Sequence, residues 1–130
     1  LTVDGARAEH LGAVIDKLSE AGVQVEMRNG SIRVQANHPL RSVEVTTLPF
    51  PGFPTDLQAQ MMALTAVSRG VSVLTEKVYP ERFMHISELN RMGASITREG
   101  SSAIVKGVSR LSGAPVTASD LRASAALMLG

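Results

Sequence analysis

The sequence predicts an α/β (α+β) protein with apolar helices inside and sheets outside, and three observations carry that prediction. Segments of helical and strand periodicity alternate along the chain. Their order, helix, hairpin, strand, helix, occurs twice. Two helical stretches, Met61-Met62-Ala63-Leu64 and Ala123 to Leu129, have almost no polar side, the pattern of helices buried all round.

Residues 8–20 place Leu11, Val14, Ile15 and Leu18 at helical spacing, and Gly22 stands where a left-handed C-terminal cap is wanted. Val23, Val25 and Met27 then alternate, Asn29-Gly30 supplies a two-residue turn, and Ile32 and Val34 alternate on the return, which is a hairpin. Ser42 to Thr47 alternates again through Val43 and Val45 until the proline-rich stretch 49–54 breaks the pattern. A helix is expected over about Thr55 to Ser68, ending at Gly70, followed by a strand at Val71 to Thr75. The order then returns: a helix from about Pro80 to Met92, strands near Ala94 to Thr97 and Ala103 to Val108, and a helix opening at Ser119. Ala21-Gly22-Val23 answers Met92-Gly93-Ala94, and Asp56-Leu57-Gln58-Ala59 answers Asp120-Leu121-Arg122-Ala123.

Composition narrows the function. Hydrophobic residues at 44% and charged ones at 19% suit a globular core, while 3% aromatics means that core is built from aliphatic side chains and Met. A net charge of +1 with interspersed signs disfavours a nucleic-acid or membrane-surface partner. There is no Cys, hence no disulfide and no thiolate metal site, and no apolar run of the ~20 residues a membrane span needs. The cytoplasm is the expected location. The chain opens at Leu1 and stops at Gly130 directly after an apolar helical run, so it is expected to be a segment of a longer protein.

Three places invite chemistry. Thr55-Asp56-Leu57-Gln58 fits a capping box that makes Asp56 the first helical residue. Asp56 then has two readings: a carboxylate favoured by the helix dipole, or a general base taking a proton from a substrate hydroxyl. In the second copy Ser119 and Asp120 repeat the cap, but Arg122 replaces Gln58, and a cation in a first turn opposes the dipole. Arg122 is either paired with Asp120 or a neighbouring acid, or part of a carboxylate or phosphate site at the helix start. Arg82 and His85 are expected to share a face of the helix opened by Pro80, with Arg82 either binding an anion or simply solvated, and Tyr79 either stacking on a flat ligand or capping the edge of the core. His85 has no second ligand at metal spacing, and no metal site is expected. Residues 107–113 hold no nucleotide fingerprint, and Ser101-Ser102 has no catalytic partner.

Phe53 to Gln60, then Glu81-Arg82-Phe83-Met84-His85 with Met92-Gly93-Ala94, then Leu111 to Ala114 leading into Asp120 to Ser124, resemble in order and spacing the UDP-N-acetylglucosamine enolpyruvyl transferases. The resemblance implies a two-domain enzyme whose domains are inside-out α/β barrels of three βαβαββ repeats. About two repeat units of one domain would be present here, roughly 1–70 and 71–130. It implies transfer of enolpyruvyl from phosphoenolpyruvate to the 3-hydroxyl of UDP-N-acetylglucosamine, with release of phosphate and no metal or organic cofactor. Under it Asp56 corresponds to the acid at the sugar 3-hydroxyl, Arg122 to an arginine near phosphoenolpyruvate, and Asp120 to an acid in the same turn. Arg82 corresponds to an arginine beside the sugar nucleotide, and Thr55, Val78 and Tyr79 fall at substrate-binding positions. The family's catalytic loop, its lysine and further arginines lie outside this stretch. The chain alone is therefore expected to need the remaining units of the same enzyme for turnover. The rival expectations are the sister transferase acting on shikimate 3-phosphate and a non-catalytic repeat scaffold.

Overall fold

A computed structural model describes residues 2–5, 11–28, 30–36, 39–49, 51–79 and 81–112. Strand β1 (Thr2–Asp4) precedes helix α1 (Gly12–Glu20), and β2 (Gln24–Arg28) and β3 (Ser31–Gln35) form the first hairpin. Strand β4 (Glu44–Thr46) leads through a 3-10 turn (Thr55–Leu57) into α2 (Gln58–Ala66) and β5 (Val71–Thr75). Helix α3 (His85–Arg91) and the hairpin β6 (Ser95–Glu99) and β7 (Ser102–Lys106) complete the described chain.

The strands make two sheets, β1-β3-β2 and β4-β5-β7-β6. The mixed α/β class stands, but among the described residues both sheets are open and no barrel closes. In the second sheet β4 and β5 run parallel, because α2 carries the chain back over the sheet between them. The other pairings are antiparallel. The segments β1-α1-β2-β3 and β5-α3-β6-β7 share one register at a constant spacing: Thr2↔Arg33 matches Val73↔Ile104, and Val25↔Val34 matches Ile96↔Val105. Both helices end alike, on Gly22 at φ +99° and Gly93 at φ +101°, the left-handed conformation in which glycine avoids a Cβ clash.

The core lies between the second sheet and the helices. Alternate residues of its strands, Val43 and Val45, Leu74, Ala103 and Val105, and Ile96, are buried against Met61, Met62, Leu89 and Met92. Helix α2 buries seven of its nine residues, including the polar Gln58 and Thr65, as an apolar perimeter demands. In α1, by contrast, no side chain is fully buried.

Three sequence expectations change. The first helix begins at Gly12, and part of its predicted start lies outside the described residues. The helix predicted from Pro80 begins at His85. Residues 81–84 form a turn instead, with the Phe83 N–H bonded to the Glu81 carbonyl at 2.9 Å and the Ile86 N–H to the Phe83 carbonyl at 3.1 Å. The cause is the Arg82 carbonyl, which accepts from the Gln58 side chain at 2.9 Å and is drawn out of any helical ladder. Arg82 and His85 therefore share no helical face, and His85 is buried at 3% exposure. The helix expected at Ser119 and the apolar stretch Ala123 to Leu129 lie outside the described residues.

The end of β7 crosses the end of α2 at the closest backbone approach a side chain could disturb. The Gly107 N–H bonds the Gly70 carbonyl at 2.9 Å and the Val108 N–H the Ala66 carbonyl at 2.8 Å, and a Cβ on Gly107 would fall 1.5 Å from the Ser68 carbonyl oxygen. Gly107→Ala is expected to lower stability by ~1–3 kcal/mol through forced overpacking. Gly12→Ala, in helix α1 with open space around it, should raise stability by up to ~1 kcal/mol. Urea midpoints of the two variants check both signs.

Candidate functional site

The polar residues gather where the parallel strands β4 and β5 end. In open α/β sheets the carboxyl ends of parallel strands are where side chains can converge beyond the last hydrogen bonds. Thr47 and Glu76 are the residues next after the paired Thr46 and Thr75. Both continue the inward parity of their strands, Val43-Val45-Thr47 and Ser72-Leu74-Glu76, and both are buried at 0% exposure.

The Glu76 carboxylate accepts five hydrogen bonds. Oε2 takes the Thr47 hydroxyl at 2.5 Å and the Val78 and Tyr79 N–H groups at 3.1 Å each. Oε1 takes the Thr55 hydroxyl at 2.8 Å and the Gln58 amide Nε2 at 3.3 Å. Burial pushes this carboxyl up, but the donations from Thr47, the Tyr79 N–H, Thr55 and the Val78 N–H together outweigh it and hold its pKa below the ordinary glutamate value.

This arrangement overturns the capping box. Neither the 3-10 turn nor α2 has a side-chain cap; the residue before the turn is Pro54, and Thr55 is already inside it. The Thr55 hydroxyl and the Gln58 amide both turn to Glu76, because a bond to an ionised acceptor is stronger than one to a neutral backbone group. Asp56 is left at the front of the turn. Its Oδ1 lies 3.2 Å from Arg82 Nη1, with the Asp56 side chain 60% exposed and that of Arg82 23%. The same Nη1 donates to Thr55 Oγ1 at 3.3 Å, leaving the Nε and Nη2 groups to other acceptors. The guanidinium carbon stands 4.2 Å from the centroid of the Tyr79 ring, a cation–π distance, and Tyr79 as a residue is 54% exposed.

The structure thus brings Thr55, Asp56, Val78, Tyr79 and Arg82 into one ledge: a carboxylate, a guanidinium and an aromatic face open to solvent above a buried acid. Such a ledge can take a proton or a hydroxyl hydrogen bond at Asp56 and an anion at Arg82. Asp120 and Arg122 lie outside the described residues. Sequence reasoning missed Glu76 and Thr47. The signal was present in strand parity, since the alternation through Ser72 and Leu74 puts Glu76 on the core side.

A carboxyl with a depressed folded-state pKa adds stability that is present above its unfolded pKa and lost as pH falls through the folded one. Glu76→Gln is expected to lower stability at neutral pH by ~1–3 kcal/mol, because an amide cannot accept from all these donors. The gap to the parent should narrow on acidification below the ordinary glutamate range, as urea unfolding at neutral and acidic pH would measure.

The family described as EPSP synthase (3-phosphoshikimate 1-carboxyvinyltransferase) matches residues 1–130. A protein of Gluconacetobacter diazotrophicus named UDP-N-acetylglucosamine 1-carboxyvinyltransferase is 56% identical over 99% of this chain and 31% of its own length. One of the same name from Trichlorobacter lovleyi is 54% identical over the same shares. The chain spans about a third of the length of these curated relatives. Among solved structures, the enolpyruvyl transferase NikO from Streptomyces tendae superposes with a TM-score of 0.81 at 30% identity, over 92% of this chain and 28% of that one. An EPSP synthase from Acinetobacter baumannii superposes with a TM-score of 0.64 at 18% identity, over 98% of this chain and 31% of that one, and shares the fold. Matched over its whole length, and sharing its fold with solved enolpyruvyl transferases, this chain belongs to the EPSP synthase family.

Proposed function

We propose that the chain is part of an enzyme that transfers the enolpyruvyl group of phosphoenolpyruvate to the 3-hydroxyl of UDP-N-acetylglucosamine, the first committed step of peptidoglycan precursor synthesis. The observation that carries this reading is the Asp56–Arg82 ledge, within a chain more than half identical to proteins bearing that activity in their names.

In this reading Asp56 takes the hydroxyl proton as the sugar oxygen bonds to C2 of phosphoenolpyruvate, and C3 gains a proton. Loss of a C3 proton and departure of phosphate from C2 then restore the double bond in the product. Arg82, with Val78 and Tyr79, holds the sugar nucleotide; a partly exposed guanidinium beside an exposed tyrosine suits a polar, anionic ligand. Arg122 and Asp120 are assigned to the phosphoenolpyruvate end. The chain supplies about two βαβαββ units, roughly 1–70 and 71–130, of one inside-out barrel. The constant register spacing between its two β-α-β-β segments supports that division. The remaining units of the same enzyme complete the barrel and bring the other phosphoenolpyruvate-binding groups, so the chain alone is inactive. No metal or organic cofactor takes part in this scheme. The enzyme works in the cytoplasm; no helix among the described residues is long and apolar enough to cross a membrane. Transfer to shikimate 3-phosphate is the weaker reading, since the EPSP synthase structures reach only 17–18% identity.

The test is Asp56→Asn in the complete enzyme. UDP-N-acetylglucosamine should bind within about threefold of the parent, while turnover with phosphoenolpyruvate falls by ~10²–10⁴-fold, the usual worth of a general base. Stability should move by less than ~1 kcal/mol, because the Asp56–Arg82 pair is exposed. Undiminished turnover, or a parent enzyme that does not bind the UDP-sugar, would overturn the assignment.

A further inference from the structure

Besides its ion pair with Asp56 Oδ1 at 3.2 Å, Arg82 has three anchors: the Thr55 hydroxyl on Nη1 at 3.3 Å, the face of the Tyr79 ring 4.2 Å from the guanidinium carbon, and, at its backbone, the carbonyl held by Gln58 Nε2 at 2.9 Å. Each anchor leads back to one group. Thr55 has a single hydroxyl proton, and it is committed to Glu76 Oε1 at 2.8 Å, so the hydroxyl can meet Arg82 only with a lone pair. The backbone from which the Tyr79 ring hangs is bonded to Glu76 Oε2 at 3.1 Å. The amide of Gln58 spans Glu76 Oε1 at 3.3 Å and the Arg82 carbonyl.

We propose that Glu76 is a positioning residue for the substrate-binding ledge: fully buried and unable to touch a ligand, it sets the place of the Arg82 guanidinium through Thr55, Tyr79 and Gln58. The proposal deepens the reading above and rests on Arg82 binding the sugar nucleotide. Its specific content is that Glu76 acts on affinity for the UDP-sugar through Arg82, while leaving the proton transfer at Asp56 largely intact.

Glu76→Gln preserves size and burial but replaces one acceptor oxygen with an N–H₂ group that faces donors. That reorients the Thr55 hydroxyl or releases the 77–79 turn. In the complete enzyme at saturating phosphoenolpyruvate, Glu76→Gln should raise KM for UDP-N-acetylglucosamine on the order of tenfold, a coupling typical of groups in one network, with kcat within about threefold. The deciding measurement is the double-mutant cycle with Arg82→Ala. If Glu76 acts through Arg82, the double variant binds UDP-N-acetylglucosamine no more weakly than Arg82→Ala alone. Additive losses, or a kcat that falls with no change in KM, overturn the proposal while leaving Arg82 a binding residue. An Arg82→Ala enzyme that binds as tightly as the parent overturns the assigned role of Arg82 itself, and with it this proposal. Should Glu76→Gln fail to fold, Gln58→Met removes the buried link between Glu76 and the Arg82 backbone without altering a residue assigned to the ligand and enters the same cycle. A KM rise that disappears in the Arg82→Ala background supports the proposal, and one that persists overturns it.

Discussion

An ionised carboxylate withdrawn from water is unfavourable by several kcal/mol unless protein donors replace the lost hydration. At Glu76 the replacement is gathered from separate stretches of chain: Thr47 at the end of β4, Thr55 and Gln58 at the start of α2, and the backbone of Val78 and Tyr79 beyond β5. Thr47 closes the set by accepting the Lys77 N–H at 2.9 Å while donating to the carboxylate. Each of these stretches lies at or just beyond the end of a regular element, and each is tied down by the same two oxygens. The late start of α3, the uncapped start of α2 and the exposed ledge all follow from where those donors must stand.

The elements that periodicity governs were legible in the sequence. Alternation located β2, β3 and β5 almost to the residue, Arg28 pairs with Ser31 as a two-residue connection requires, and Gly22 adopts the left-handed conformation its position called for. The near-absence of a polar side in Met61-Met62-Ala63-Leu64 implied burial, and seven of the nine residues of α2 are buried. Local rules failed where a distant partner outcompeted a near one. Thr55 and Gln58 carry capping-box chemistry, but the stronger acceptor lies some twenty positions along the chain. Pro80 and the periodicity after it imply an early helix, yet the Arg82 carbonyl is claimed by Gln58. Asp56, Tyr79 and Arg82 were candidates from residue type and position, Thr55 and Val78 as binding residues came with the resemblance, and the five do converge. Glu76, which organises them, was readable only through strand parity, because a charged residue at the end of a strand is by habit assigned to solvent.

The ledge combines a firm base with an open surface. Its supports, Thr47, Gln58 and Glu76, are buried, while the groups facing outward, Asp56 and Tyr79, are more than half exposed. That division lets the outward groups meet a ligand without rearranging the core, which is the condition under which binding energy is not lost to ordering the site.

The matching registers of the two β-α-β-β segments have one more implication. At the spacing that superposes β1 on β5, the residue aligned with Glu76 is Gly5, which lies just past β1 at φ +73°. One backbone plan thus ends its first strand in a buried acid and, in the other copy, in a residue with no side chain at all. The shared register therefore does not depend on a buried charge at that strand terminus, since the β1 segment keeps it with no side chain there.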